Sequence, residues 1–296
     1  MSGTEIIQDI INAVSLGCLY ALFALGVALL FGVMRLINFA HGELIMVGGY
    51  SLVLYAGLFW PLQIGLSLLS VIVVALLLER VAFRPVRGAD ASTLLVTSFA
   101  VSYLLQNLAI LIAGSLPKGI SLESGLTSSF DVGELVVSRL NILTVVVTVV
   151  LLAGLAFFLF RTSAGVRMRA TAEDLDAARL LGVKTNRVIA IAFALSGLLA
   201  GVSAVILVGQ TGTVSSTIGV SAVLIAFIAT VLGGIGSLSG AALGGFILGV
   251  ASVALQIFLP VGLRPSRDAF LFGLVILVLS FRPQGLIPTR SVQREV

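Results

Sequence analysis

Away from loops and chain ends, the ionisable side chains embedded in apolar sequence reduce to His41 and Glu43, within residues 36–50, LINFAHGELIMVGGY. A charge at bilayer depth costs on the order of 2.5 to 3.5 kcal/mol even on lenient insertion scales, so such residues face a bundle interior, pair, or line a cavity. Three chemistries suit them. Glu43 can accept hydrogen bonds from backbone or from Asn38 and His41 as a structural clamp. The segment can line the route of a polar solute, or the two residues can relay a proton. A spacing of two puts them on different faces of a regular helix, which disfavours a direct dyad. Other chemistry is scarce. One histidine and one cysteine, Cys18, exclude an internal disulfide and a metal cluster. No Gly-Lys pair occurs, so no P-loop can cradle ATP, and Gly236-Ser237-Leu238-Ser239-Gly240 lacks the central serine of a nucleophile elbow. Any ATP-driven work must come from a partner chain.

The elements that carry these residues are written in the composition. Of 296 residues, 59% are hydrophobic and 10% charged, and the mean hydropathy is +1.20. Soluble domains carry roughly a quarter charged residues. The apolar residues fall into nine runs, 10–33, 36–58, 62–78, 93–113, 140–160, 188–208, 220–235, 241–259 and 269–281, most of them near the length that crosses a ~30 Å hydrocarbon core. The second, seventh and ninth are the weakest. The expected fold is an all-α, polytopic membrane helical bundle of about eight or nine transmembrane segments, some discontinuous, forming a single transmembrane domain over 1–296. Glu5 and Asp9 precede the first basic residue, Arg35, so the first run does not read as a secretory signal and is expected to stay attached. With the N-terminus outside, only Lys118, Arg139, Arg264 and Arg267 of the 17 basic residues lie outside. The basic excess is then an orientation signal under the positive-inside rule, not a nucleic-acid footprint.

Two further features are expected to matter. The inner loop 161–187 holds a short helical pattern over 172–181, with Glu173, Asp174 and Asp176 at its start, Arg179 in its last turn and Gly182 just beyond. These are helix start and stop signals, and so short a helix needs a surface to rest on, which makes the loop a candidate docking element or a connector folded on its own bundle. In the C-terminal third, Gly233, Gly234, Gly236, Gly240 and Gly244 mark either a helix break beside a path or a plain turn flanked by close-packing strips.

Residues 36–50 resemble the signature of LivH-type permeases of high-affinity branched-chain amino acid ABC transporters. Asp176-Ala177-Ala178 with Gly182 resembles the E-A-A-x-x-x-G element of bacterial ABC permeases, with Asp for Glu, and VLGGIGSLSGAALGG at 231–245 is similar to a glycine-rich stretch shared with sugar permeases. The resemblance implies an importer subunit in the bacterial inner membrane. It implies a second, related permease, two cytoplasmic ATPases holding ATP and Mg, an extracytoplasmic solute-binding protein, and no cofactor in this chain. It also implies that Glu173, Asp174, Asp176, Ala177, Ala178, Arg179 and Gly182 dock on the ATPase. Urea or a short amide is an alternative solute, and a self-sufficient channel or secondary transporter an alternative class.

Overall fold

The computed structural model describes residues 3–34, 38–120, 129–132 and 135–287. Helix α1 (Gly3–Met34) is followed by α2 (His41–Leu54), α3 (Trp60–Leu78) with a π-helical turn at Glu79–Phe83, and α4 (Ala91–Ala113). Then come β1 (Lys118–Gly119), the hairpin β2 (Ser129–Val132) and β3 (Leu135–Ser138), α5 (Arg139–Arg161), α6 (Ser163–Glu173) and α7 (Leu175–Leu180). The chain continues through α8 (Thr185–Thr211), β4 (Thr213–Val214), α9 (Ile218–Gly233), α10 (Leu238–Phe258), a 3-10 turn at Val261–Ser266 and α11 (Arg267–Phe281). Strand β1 pairs antiparallel with β4, Lys118 opposite Val214. The polar stretch 114–139 contributes β1, β2 and β3. Arg35, Leu36, Ile37, Arg290 and Arg294 lie outside the described residues.

Helix α1 is the axis of the bundle. It is buried almost continuously from Ser15 to Leu30 and packs on α10, α8, α9 and α5. Small residues let the backbones approach: a Cβ on Gly249 would overlap Gly17 of α1, and one on Gly245 would stand 2.6 Å from the Tyr20 carbonyl oxygen. On α8, a Cβ on Gly197 or Gly201 would stand 2.8 Å from Ala75 or Leu68 of α3. Without a hydrophobic drive between helices in lipid, such close contact supplies the association energy.

Among the described residues six helices are long and apolar enough to cross a membrane: α1, α3 with its π turn, α4, α5, α8 and α10. The remaining expected runs are shorter as helices. The second run, expected over 36–58, is helical only from His41 to Leu54. At 1.5 Å per residue its 14 residues reach about 21 Å, less than the hydrocarbon core. Helix α9 has 16 residues and α11 has 15.

The glycine-rich stretch is a turn. Helix α9 ends at Gly233, Gly234 and Gly236 take φ of +112° and +87°, and α10 begins at Leu238, its Gly240 N–H bonded to Ser237 Oγ at 3.0 Å. The Gly233 and Gly240 backbones meet so closely that a Cβ on either would overlap the other's carbonyl oxygen, and Gly244 abuts the Ala229 carbonyl in the same way. The end of α9 is closed by Leu286 N–H on Leu232 O and Ile287 N–H on Gly233 O, both 2.9 Å. These contacts describe a tight helical hairpin, not an interruption within one helix.

Candidate functional site

Helix α2 starts part-way along the bundle, away from the ends of the long helices. Asn38 Oδ1 accepts the Ala40 N–H at 3.0 Å, closing a turn that the helix leaves at His41. The His41 ring is fully buried against Gly26 of α1 and Ser196 of α8. By helix rise, Ser196 lies roughly 16 Å from the start of α8 and Gly26 roughly 12 Å from the end of α1. Ser196 Oγ stands 3.2 Å from the Gly26 carbonyl and shares a hydrogen bond of 2.9 Å with His41 Nδ1. His41 Nε2 has no hydrogen-bond partner and lies so close to Gly26 that a Cβ there would overlap it. The imidazole is therefore wedged between two helices.

Glu43, also fully buried, turns to the other side of α2. Its Oε1 accepts from Ser102 Oγ at 2.8 Å and Gln106 Nε2 at 2.9 Å, both on α4, and Gln106 also donates to Ser102 Oγ at 3.1 Å. Oε2 has no hydrogen-bond partner and stands 2.8 Å from where a Cβ on Gly219 would lie. Gly219 is in the first turn of α9, and Gly42 packs directly on its carbonyl. Two helices thus begin against each other within the bundle, with the Glu43 carboxyl at the start of both. A negative charge at a helix N-terminus is stabilised by the unsatisfied N–H groups and the macrodipole, which gives Glu43 a physical reason to be there. His41 and Glu43 hold different helices, and no contact joins them into a relay among the described residues. Ser102, Gln106, Ser196, Gly26 and Gly219 were not singled out from sequence. Ser98, Ser102 and Gln106 at four-residue spacing in an apolar run were the available signal for α4; the glycines had none.

The second site is the loop 161–187, on the basic face where α1 and α5 end and α8 begins. The expected single helix over 172–181 is two helices. Asp174 takes an extended conformation (φ −150°, ψ 111°) and its Oδ1 accepts the N–H groups of Asp176 and Ala177, both at 2.9 Å, capping α7. Glu173 closes α6 instead of opening the next helix. Ala178 is buried against the body. Gly182 follows at φ +82° with its N–H on Arg179 O, and Val183 N–H reaches Ala178 O, a left-handed helix stop that favours glycine. Arg179 bridges Asp176 Oδ1 at 3.3 Å and Thr185 Oγ1 at 3.1 Å. Leu180 and Leu181 are 89% and 84% exposed at the tip.

Behind α7 a cavity of about 330 Å³ is lined by Val33, Arg87, Leu94, Thr171, Glu173 and Asp174, among others. Arg87 is itself buried, ion-paired with Glu79 of the π turn and bonded to Asn186 Oδ1 at 2.6 Å. Burial lowers the pKa of its guanidinium, with the Glu79 carboxylate opposing the shift. Asp90, at the start of α4, is held down to about 2 by the hydroxyls of Ser92 and Thr93. No group of three or more metal-ligating side chains occurs among the described residues.

A family model described as the permease component of the branched-chain amino acid transport system matches residues 10–279. The high-affinity branched-chain amino acid transport system permease protein BraD of Pseudomonas aeruginosa is 38% identical over 97% of this chain and 97% of its own length. The LivH permease proteins of Salmonella typhimurium and Escherichia coli K12 are each 36% identical over the same shares. With its long apolar helices, its lack of a P-loop and this similarity along nearly the whole length, the chain belongs to the branched-chain amino acid transport permease family.

Proposed function

We propose that this chain is a membrane-spanning permease subunit of an ABC importer that carries branched-chain amino acids across the bacterial inner membrane. Partner chains do the chemistry: two cytoplasmic ATPases bind ATP and Mg, an extracytoplasmic protein delivers the solute, and a second, related permease completes the passage. The basic face is the cytoplasmic one.

The observation that carries this reading is the 161–187 loop. Its α7 is fixed from behind by Ala178 and capped at both ends, yet presents Leu180 and Leu181 to solvent. An exposed apolar tip on a rigid, polar loop is a contact surface, and Asp176, Ala177, Ala178 and Gly182 hold its shape. When the ATPases close, the docked α7 moves and the packed bundle switches between its two openings. Asn38, His41 and Glu43 act in this reading as fasteners of the α2 break.

The test is uptake of labelled leucine and labelled urea by a strain lacking the chromosomal copy and complemented with this chain and its partners. Leucine uptake that depends on ATP is expected. Rescue by urea alone overturns the solute assignment, and flux through the purified chain without an ATPase overturns the class.

A further inference from the structure

The helices at the rim of the bundle differ in what they expose. The exposed side chains of α3 between positions 62 and 77, of α5 between 142 and 160, and of α11 between 269 and 277 are all apolar, which suits lipid. On α4, Tyr103 is 71% exposed at the middle of the helix and Asn107 is exposed one turn further along. On α9, Ser221 is exposed one turn from a start that lies within the bundle against Glu43. Away from the ends of the spans, the exposed polar side chains among the described residues are these three and Asn12 of α1, whose amide oxygen accepts from Asn141 of α5 at 3.2 Å. Tyr103, Asn107 and Ser221 sit on the two helices that flank one segment: Phe39 stacks on Phe99 of α4 at 4.3 Å and faces Phe227 of α9 at 5.9 Å. The half-buried Gln106, next to Asn107, reaches inward to Glu43 at 2.9 Å.

Lipid offers no partner for an amide or phenol, and irregular backbone at membrane depth persists only where protein or a water-filled cavity surrounds it. We infer that Tyr103, Asn107 and Ser221, on the α4 and α9 faces beside Phe39, line a water-filled route taken by a zwitterionic amino acid through the membrane. One Nδ2 hydrogen of Asn107 is held by the Tyr103 carbonyl at 2.7 Å; the other can meet a carboxylate and its carbonyl an ammonium, and Tyr103 and Ser221 can each donate or accept. All three are neutral, so they supply hydrogen bonds without a fixed ion trap, and the exposed Phe99, Leu104 and Leu224 offer apolar surface to the side chain. The solute class rests on the function proposed above; the route does not.

The experiment is single-cysteine labelling in membrane vesicles holding the whole transporter, with Asn107→Cys, Tyr103→Cys and the near-isosteric Ser221→Cys, and with Val146→Cys of α5 and Val73→Cys of α3 as lipid-facing references. The unaltered chain, whose Cys18 is buried, sets the background, and co-purification of the partners confirms assembly. A charged, membrane-impermeant methanethiosulfonate should modify the three route positions at least tenfold faster than the references, and leucine with the binding protein should slow the reaction. Rates at 107 and 221 as slow as at Val146, or modification by a lipid-soluble maleimide alone, place these faces in lipid and overturn the inference. Crosslinking to the second permease without aqueous labelling marks a dry subunit contact and overturns it equally. Fast labelling with no leucine protection and no leucine uptake keeps the route and removes the solute; normal leucine uptake with unreactive cysteines does the reverse.

Discussion

Arg87, in the α3–α4 connection, donates a hydrogen bond of 2.6 Å to Asn186, in the first turn of α8 and next to the Thr185 that receives Arg179. The loop bearing α7 and the π turn of α3 are thereby joined through one guanidinium, whose other arm pairs with Glu79. Both partners of that pair are buried, with 8% and 6% of the side chains exposed. Removing one leaves the other uncompensated, at a cost of about 3 to 5 kcal/mol. Arg87→Met should lower the melting temperature of the detergent-purified complex sharply, and Glu79→Met added to it should recover most of the loss. A double variant as unstable as the single one refutes the pairing argument.

The Glu43 cluster separates fastening from transport. Ser102→Ala and Gln106→Leu each remove a hydrogen bond to a buried carboxylate and should each destabilise by roughly 1.5 to 3 kcal/mol. Yield and melting temperature should fall, while leucine uptake per assembled complex stays within about twofold. Normal yield with abolished uptake in Glu43→Gln assigns the carboxylate to the solute instead.

Gly26 is the floor on which His41 rests. Gly26→Ala has no room for its methyl group beside Nε2, and overpacking of a closed core typically costs about 1 to 3 kcal/mol. Expression should drop, and His41→Ala on top of it should restore part of it by vacating the space. Failure of the second substitution to help shows that Gly26 matters for another reason.

The α7 tip predicts loss of coupling without loss of fold. Leu180→Glu with Leu181→Glu should reduce ATPase co-purification by at least tenfold and abolish uptake, leaving the melting temperature of the isolated chain unchanged, because neither side chain is buried. Gly182→Pro should uncouple in the same assay, as should charge reversal of Glu173 together with Asp176. Wild-type co-purification and uptake in all of these remove the docking role.

At the start of α4, the carboxyl of Asp90 is depressed from its ordinary 3.8 to about 2 by the Ser92 and Thr93 hydroxyls. A depressed acid contributes stability that is fully present above the unfolded value and is lost as the pH falls through the folded one. The melting-temperature difference between the native chain and Asp90→Asn should be constant above pH 5 and shrink between about pH 4 and pH 2. A difference that persists unchanged at pH 2 contradicts it.

Much of this was legible in the residues themselves. Apolar runs fix helices wherever hydrocarbon forbids unsatisfied backbone, so the six long spans and the basic face follow from composition and charge. Asp174, Arg179 and Gly182 announced a short helix because capping is local chemistry. The split at Asp174 did not show, because a carboxylate that can favour a first turn can also end the preceding helix, and only the chain's path decides. The same is true of α2. Residues 36–58 read as one apolar run, and its start at His41 depends on contacts with Gly26, Ser196 and Gly219, supplied by helices distant in sequence. Periodicity identifies which residues avoid water; it carries no information about depth or about which helix lies opposite. The assignment of His41 to α8 and of Glu43 to α4 and α9, and the choice of which rim faces are polar, were made by tertiary packing, since a buried polar group is set by whichever partners the fold brings within hydrogen-bond reach.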